Sequence, residues 1–283
     1  MKIELIATQK VLSPTQIAIA DYCINPYQGC EFGCLYCYAH KNKNLKDRTM
    51  GTYIGVKINA PAVLRQQLQY TRPKRVLLGS TTECFQYHEL KYNVTEQILA
   101  ILNTYEIPYT ILTKSYLIKE YLPLIAHNSA NKIYFTFNCA RDTLIEAIEK
   151  NSSTITQRLN AIGAILNHTI DLRIHVGPFI PHYSSLEDIL MLLPENVREI
   201  DIELYHHSMG NFGELRSRIE QVLGAQASND LAGVYACEEN YMQFAEQLKN
   251  QIKGIRNKKI RFYYIVPAYN AFYGPGADYE TPL

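Results

Sequence analysis

The sequence has no tryptophan, no long apolar run and almost no net charge. Without eighteen consecutive apolar residues there is no transmembrane helix to expect. The opening MKIELIATQK lacks the apolar stretch of a signal peptide, so the expected compartment is the cytoplasm. Charge balances at +1, from 28 Lys and Arg against 27 Asp and Glu, so no global field favours nucleic acid or a membrane surface. Only local basic patches remain. No low-complexity segment, charge block or Pro/Ser linker divides the chain. One domain is therefore expected over residues 1–283, with a core at about 16–205 and C-terminal helices, a strand and an aromatic tail at about 206–283. Tyrosine is abundant at 22, and packing accounts for most of it.

Short β-rich runs alternate with helical patterns. The strands are predicted at 16–23, 74–79, 109–113, 132–138, 172–177, 199–205 and 260–266. Helices are predicted at 62–70, 93–105, 117–126, 155–167, 186–193, 212–223 and 239–252. Thr154 is placed to cap the helix that holds Arg158, and Ser185 with Asp188 has capping-box spacing. Such alternation implies parallel strands joined by right-handed crossovers. The expected fold is α/β, a partial (β/α)6 barrel with its chemistry at the C-terminal strand ends.

Seven cysteines, three of them within eight residues, do not resemble a secreted disulfide framework. The three lie in NPYQGCEFGCLYCYAH as Cys30-x3-Cys34-x2-Cys37. Three thiolates on one tight loop can each bind a corner of an iron–sulfur cube and leave a fourth iron open, whereas an electron-transfer cluster takes four. Gly29 and Gly33 suit a loop that turns sharply around a cofactor. The alternatives are a zinc site completed by Cys23 or His40, or free cysteines. Zinc sites usually bring two spaced pairs of ligands, and no second pair is present. Cys23, Cys139 and Cys237 are isolated and fit packing roles.

The triplet after a first strand, followed by βα units, resembles the radical S-adenosylmethionine (SAM) superfamily. The longer string NPYQGC-x3-CLYCYAH is similar to its spore photoproduct lyase-like branch, over about residues 21–179. The resemblance implies a [4Fe-4S] cluster held by Cys30, Cys34 and Cys37. Its open iron would chelate SAM, which is cleaved to methionine and a 5′-deoxyadenosyl radical that abstracts hydrogen from substrate. The protein's part is to position and shield that chemistry.

Residue by residue, the same resemblance assigns Ser80 and Thr82, in Gly79-Ser80-Thr81-Thr82-Glu83-Cys84, to the methionine end of SAM. An ordinary βα loop is the plain alternative. Lys114 either reaches the SAM carboxylate or snorkels to solvent. Thr136 and Asn138, sharing a strand face with Tyr134, match residues that hold the ribose, and Tyr38 lies beside the cofactors. Glu149 and Arg158 are either an ion pair ordering SAM, with Arg158 as a contact, or surface charges of little weight. Cys84, with Tyr36 and Tyr38, matches a relay that returns a hydrogen atom to the product radical. The alternative is that all three only pack.

The resemblance also implies an electron donor such as flavodoxin or ferredoxin. The favoured substrate is a small molecule or peptide, with no membrane partner. A nucleic-acid repair lyase of the thymine-photoproduct type is the alternative, and a non-catalytic iron–sulfur or zinc protein is a third reading. Phosphate contacts would fall to Lys41, Lys43, Lys46 and Arg48, to Arg72, Lys74 and Arg75, or to Lys253, Arg256, Lys258, Lys259 and Arg261. Solvated faces are the commoner fate of such runs. His206 and His207 follow a predicted strand and either touch substrate or lie on the surface. The tail YYIVPAYNAFYGPGADYETPL, broken by Pro267, Gly274, Pro275 and Gly276, either folds over the barrel or covers an apolar edge. No cysteine-rich C-terminal extension offers auxiliary clusters.

Overall fold

The computed structural model describes residues 1–208, 210–264 and 279–280. The aromatic tail beyond Tyr264 therefore lies almost wholly outside the described residues. The chain divides into two compact units. One comprises Met1–Gly33, Ala39–Phe135 and Asn151–Leu172, the other Cys34–Tyr38, Thr136–Lys150 and the described part of 173–283. Among the described residues no helix is long and apolar enough to cross a membrane.

The first unit is built on strands β1 (Lys2–Ile6), β2 (Ser13–Pro14), β3 (Tyr22–Ile24), β4 (Tyr27–Gly29), β5 (Tyr53–Lys57), β6 (Val76–Leu78), β7 (Tyr109–Thr113) and β8 (Lys132–Thr136). β3, β6, β7 and β8 run parallel in that order, and β2 pairs antiparallel with β3. Their residues Ile24, Leu77, Ile111 and Ile133 are fully buried. Each such side chain contributes roughly 1.5–3 kcal/mol of apolar burial. β1, β5 and β4 form a separate small sheet.

That small sheet is not apparent in the sequence, because β4 is three residues long and β5 carries Gly55 at its centre. A Cβ there would stand 2.8 Å from Ile6 Cδ1 and 2.7 Å from the Tyr53 hydroxyl, so those side chains would have to shift to admit one. The strand predicted at 16–23 shrinks to Tyr22–Ile24. Asp21 explains the difference. Its carboxylate accepts the N–H groups of Lys74 and Arg75 at 3.0 and 2.9 Å, while Thr15 N–H bonds the Asp21 carbonyl and closes residues 15–21 into a turn. The helix predicted at 117–126 is a 3-10 segment, Tyr116–Tyr121, followed by one turn, Leu122–Ile125. Pro123 sits in that turn's first positions, where its missing N–H costs nothing but where the preceding helix must stop. Val94–Thr104 and Ile155–Leu166 are helices near their predicted bounds. Thr154 caps the second through a full capping box with Gln157.

In the second unit β9 (Asp171–Phe179), β10 (Glu199–Leu204) and β11 (Lys259–Tyr263) run parallel, with β12 (Tyr279–Glu280) antiparallel on β11. Alternation gives each strand two faces. Ile174, Val176, Ile200, Ile202, Ile260 and Phe262 are buried on one. The other carries a ladder of charges. Arg173 pairs with Glu199 at 2.7 Å, Arg261 grips Asp201 with two bonds of 2.8 and 2.9 Å, and His175 meets Glu203 at 3.2 Å. Helices Leu186–Leu192, capped by Ser185, Phe212–Leu223 and Glu238–Lys253 follow these strands as expected. Ala225–Val234 and Asp142–Ile148 were not apparent in the sequence. Parallel strands interleaved with helices make the architecture α/β, as the sequence pattern requires.

Candidate functional site

The cysteine loop begins where β4 ends. Gly29 adopts φ +78°, and a Cβ there would stand 2.4 Å from the Tyr53 carbonyl. Gly33 adopts φ +57° and lies against Gly51, where a Cβ would come within 2.7 Å of a backbone carbon. Both positions need glycine for conformation and for space. The Cys30 carbonyl accepts Gly51 N–H at 2.8 Å, so the loop is stitched to a second turn.

Glu31 holds this loop in place. It is 3 % exposed. Its carboxylate accepts the Tyr87 N–H and meets His88 Nδ1 at 2.6 Å. Its own N–H donates to Gln86 Oε1 at 3.1 Å, and its carbonyl accepts from Asn151 Nδ2 at 2.8 Å. Gln86, Tyr87 and His88 belong to the segment after β6 that also contains Ser80, Thr82 and Cys84. Thr82 Oγ1 donates to the Gly29 carbonyl at 2.5 Å, so that hydroxyl helps fix the start of the loop. Ser80 Oγ accepts from Asn25 Nδ2 at 3.0 Å, and Asn25 Oδ1 accepts Thr81 N–H at 2.9 Å.

Two further carboxylates are buried beside Cys84. Glu83 accepts from Phe85 N–H at 3.0 Å, Thr113 Oγ1 at 2.7 Å and Lys114 N–H at 3.1 Å. Burial pushes its carboxyl above the usual range, against the pull of those donors and of the Lys114 charge. Glu89 accepts the Tyr27 hydroxyl and the N–H groups of Thr95 and Glu96. Burial likewise raises its carboxyl. Cys84 is fully enclosed. Burial first, then the neighbouring Glu83 and Glu89, push its thiol well above the ordinary range, so at neutral pH it keeps its proton. Lys57 is buried nearby and donates to the Asn25 carbonyl at 2.7 Å. Burial lowers its ammonium.

In the same unit Lys114 is half-buried at the end of β7, its backbone held by Glu83. Arg158 is fully buried. Its Nε donates to the Ser153 carbonyl at 2.9 Å and its Nη2 to the Ser152 hydroxyl.

The second unit carries Cys34, buried, and Cys37, half-buried, joined through a 3.0 Å bond from Cys37 N–H to the Cys34 carbonyl. Leu35 donates to the Ile148 carbonyl at 3.0 Å, and its own carbonyl accepts from Asn211 at 2.9 Å. Tyr36 is buried and donates to Glu149, which also accepts the Tyr183 hydroxyl at 2.8 Å. Tyr38, in contrast, is 44 % exposed. Glu149 is 1 % exposed, so neither it nor Arg158 is the surface charge that the sequence left open. Thr136 ends β8 and is nearly buried. Asn138 is fully buried; its Nδ2 makes long bonds of 3.4 and 3.3 Å to the Gly177 and Pro178 carbonyls, and its Oδ1 has no partner. His206 and His207 stack at 6.2 Å, and His207 packs 5.1 Å from the Tyr235 ring in an aromatic group with Phe212 and Tyr205.

Glu31, Glu83, Glu149's tyrosine contacts and Gln86 were not singled out in the sequence. Only Glu31 had a local signal, a charged residue placed inside the cysteine loop.

None of the seven cysteines forms a disulfide. Among the described residues, no group of three or more His, Cys, Asp or Glu side chains is arranged to hold a metal ion. A single ion draws its ligands together at one point, whereas a cubane takes each thiolate at a different iron. Thiolates presented by a glycine-shaped loop are the donor type that an iron–sulfur cluster takes.

Residues 24–193, more than half of the chain, match the model of the radical SAM superfamily, and the chain belongs to that family. It is 31 % identical over 173 residues to an uncharacterized protein of Mycobacterium tuberculosis, covering 58 % of this chain and 51 % of that protein. It is 28 % identical over 192 residues to an uncharacterized protein of Methanocaldococcus jannaschii, covering 67 % and 73 %. The chain thus spans about half the length of the mycobacterial relative. Spore photoproduct lyase complexed with dinucleoside spore photoproduct superposes with a TM-score of 0.54 at 18 % identity, over 78 % of this chain and 65 % of that one. A variant of the same lyase with bound AdoMet gives 0.55 at 19 %, over 76 % and 65 %. The fold is shared with that enzyme. Members of that superfamily are enzymes that use a [4Fe-4S] cluster and SAM and need a reductant.

Proposed function

We propose that this enzyme uses a 5′-deoxyadenosyl radical to abstract hydrogen from a small molecule or a peptide. The observation that carries this choice over a nucleic-acid substrate is the state of the basic residues. Arg48 pairs with Glu4 at 2.7 Å, and Arg75 donates to the Ala130 carbonyl at 2.9 Å. Arg261 is clamped on Asp201, and Lys258 donates to the Val197 carbonyl at 2.9 Å. Each of the three basic runs thus has a member already bonded to the protein's own acceptors, while phosphate binding draws on available Lys and Arg.

The reading gives Cys30, Cys34 and Cys37 to the cluster, on the strength of their spacing and the family. When bound, cluster and SAM supply the radical. In the first unit, Ser80, Thr82 and Lys114 take the methionine end of SAM, and Arg158 contributes its buried positive charge. In the second, Thr136 and Asn138 take the ribose, for which the unpartnered Asn138 Oδ1 is a suitable acceptor, and Tyr38 lies beside the cofactors. Cys84 is the hydrogen-atom donor to the product radical, with Tyr36 and Tyr38 in the same relay. A thiol that keeps its proton is the form such a donor needs. Flavodoxin or ferredoxin supplies the electron, and the compartment is cytoplasmic.

Anaerobic reconstitution tests the chemistry: the reduced cluster's EPR spectrum should change when SAM is added, and an unresponsive spectrum sinks the radical reading. DNA should not be retained at low salt. Binding with a steep salt slope would transfer the proposal to a nucleic-acid lyase. For the relay, Cys84→Ala should leave SAM cleavage intact while altering deuterium return to product in heavy water. An unaltered isotope pattern would exclude Cys84 as the donor.

A further inference from the structure

Gln86 is fully buried, yet only half of its carboxamide is satisfied. Its Oε1 accepts the Glu31 N–H at 3.1 Å, which fixes the orientation of the amide. Its Nε2 is enclosed and has no hydrogen-bond partner. Neighbouring polar groups on and around this segment are paired. The Thr82 hydroxyl bonds Gly29, Ser115 Oγ bonds the Phe85 carbonyl at 2.6 Å, and Thr95 Oγ1 bonds the Cys84 carbonyl at 2.7 Å. Buried amides are rarely left in this state, so an orphaned NH2 calls for an acceptor that joins the site later. The anchor of Gln86 is the residue that follows Cys30, and its free end is therefore only one carboxamide away from the cysteine loop. The acceptors brought to that loop are thiolate and sulfide. Gln86 carries no charge and no lone-pair nitrogen, so it is neither a ligand nor an acid or base.

We propose that Gln86 Nε2 donates a hydrogen bond to a sulfur of the cluster held by the Cys30 loop and thereby raises the cluster's reduction potential. The inference rests on the reading of Cys30, Cys34 and Cys37 as cluster ligands. A donor at sulfur favours the more negative, reduced state, and hydrogen bonds to sulfur are among the determinants of iron–sulfur potentials. Gln86 is thus a tuning residue. It does not touch the reacting atoms.

The test is an EPR-monitored redox titration of the anaerobically reconstituted full chain, without SAM, on wild type and Gln86→Leu. Leucine fills similar space and removes the donor. The midpoint should become more negative by about a tenfold change in the reduction equilibrium, about 59 mV for one electron. Wild type carrying 15N in its glutamine side chains should show a weak nitrogen coupling to the reduced cluster that Gln86→Leu lacks. An unchanged midpoint overturns the proposal. So does a coupling that appears only after SAM is added, which would make the SAM carboxylate the acceptor. If the variant fails to load its cluster, the wild-type coupling decides, and its absence overturns the proposal. A wild type that holds no cluster removes the cluster reading and this inference together. A SAM-responsive cluster with no glutamine coupling removes only the latter.

Discussion

Replacing Cys34 by alanine is expected to remove the [4Fe-4S] cluster and with it all formation of 5′-deoxyadenosine, while the protein stays folded. The site offers no substitute ligand within the motif, because every remaining thiol already has a corner to fill or lies elsewhere in the chain. Cys34 sits in a short segment whose backbone is held from both sides, by Ile148 and by Asn211 through Leu35. Loss of the thiol therefore leaves the segment in place but unable to bind iron. A three-cysteine cluster already has one iron without a protein ligand, and a second bare iron leaves the cube held at only two corners. The measurement is iron and sulfide content after anaerobic reconstitution, with circular dichroism to follow the fold. Cys30→Ala and Cys37→Ala should behave alike. Full iron content and SAM cleavage in any one of the three would show that the motif is not the ligand set.

Glu31→Ala should have the second largest effect, and it acts on architecture. The carboxylate is the acceptor for Tyr87 N–H and the partner of His88 Nδ1 at 2.6 Å, with a side chain 4 % exposed. Truncation leaves both groups without their acceptor in a largely dry site. A buried polar group left without its partner costs about 1–3 kcal/mol. The loss should appear as a lower urea midpoint and as poorer retention of the cluster, since Glu31 adjoins Cys30. Glu31→Gln keeps an oxygen for Tyr87 N–H and should recover a large part of the stability. Equal stability of Glu31→Ala and wild type would show that the loop is held by its glycines and backbone bonds alone.

How much of this was legible in the sequence differs sharply from residue to residue. The cysteine triplet, Gly29 and Gly33 are local: their meaning depends on spacing along a few residues, and a tight loop has the same requirements in any setting. The helix after Thr154 is local for the same reason, since Thr154 and Gln157 satisfy each other within one turn. Short strands are the opposite case. β4 and β5 are strands because they pair with each other and β5 with β1, and no pattern within three or five residues could announce it.

The site shows the same division. Arg158 and Glu149 looked like possible surface charges because spacing says nothing about burial. Glu31 bonds Gln86, Tyr87 and His88, which lie 55 to 57 residues away, and Asn151, 120 residues away. Nothing in the basic runs near residues 48, 75 and 261 announced that Arg48, Arg75 and Arg261 bond Glu4, Ala130 and Asp201.

The sequence by itself determined the three thiols, the turn that presents them, and the alternation of strands and helices, since those follow from covalent spacing and local periodicity. Only the tertiary structure decided which buried groups hold the loop, that Cys84 keeps its proton, and that Gln86 lacks an acceptor. Burial and long-range hydrogen bonds are properties of the folded chain, and no short segment contains them.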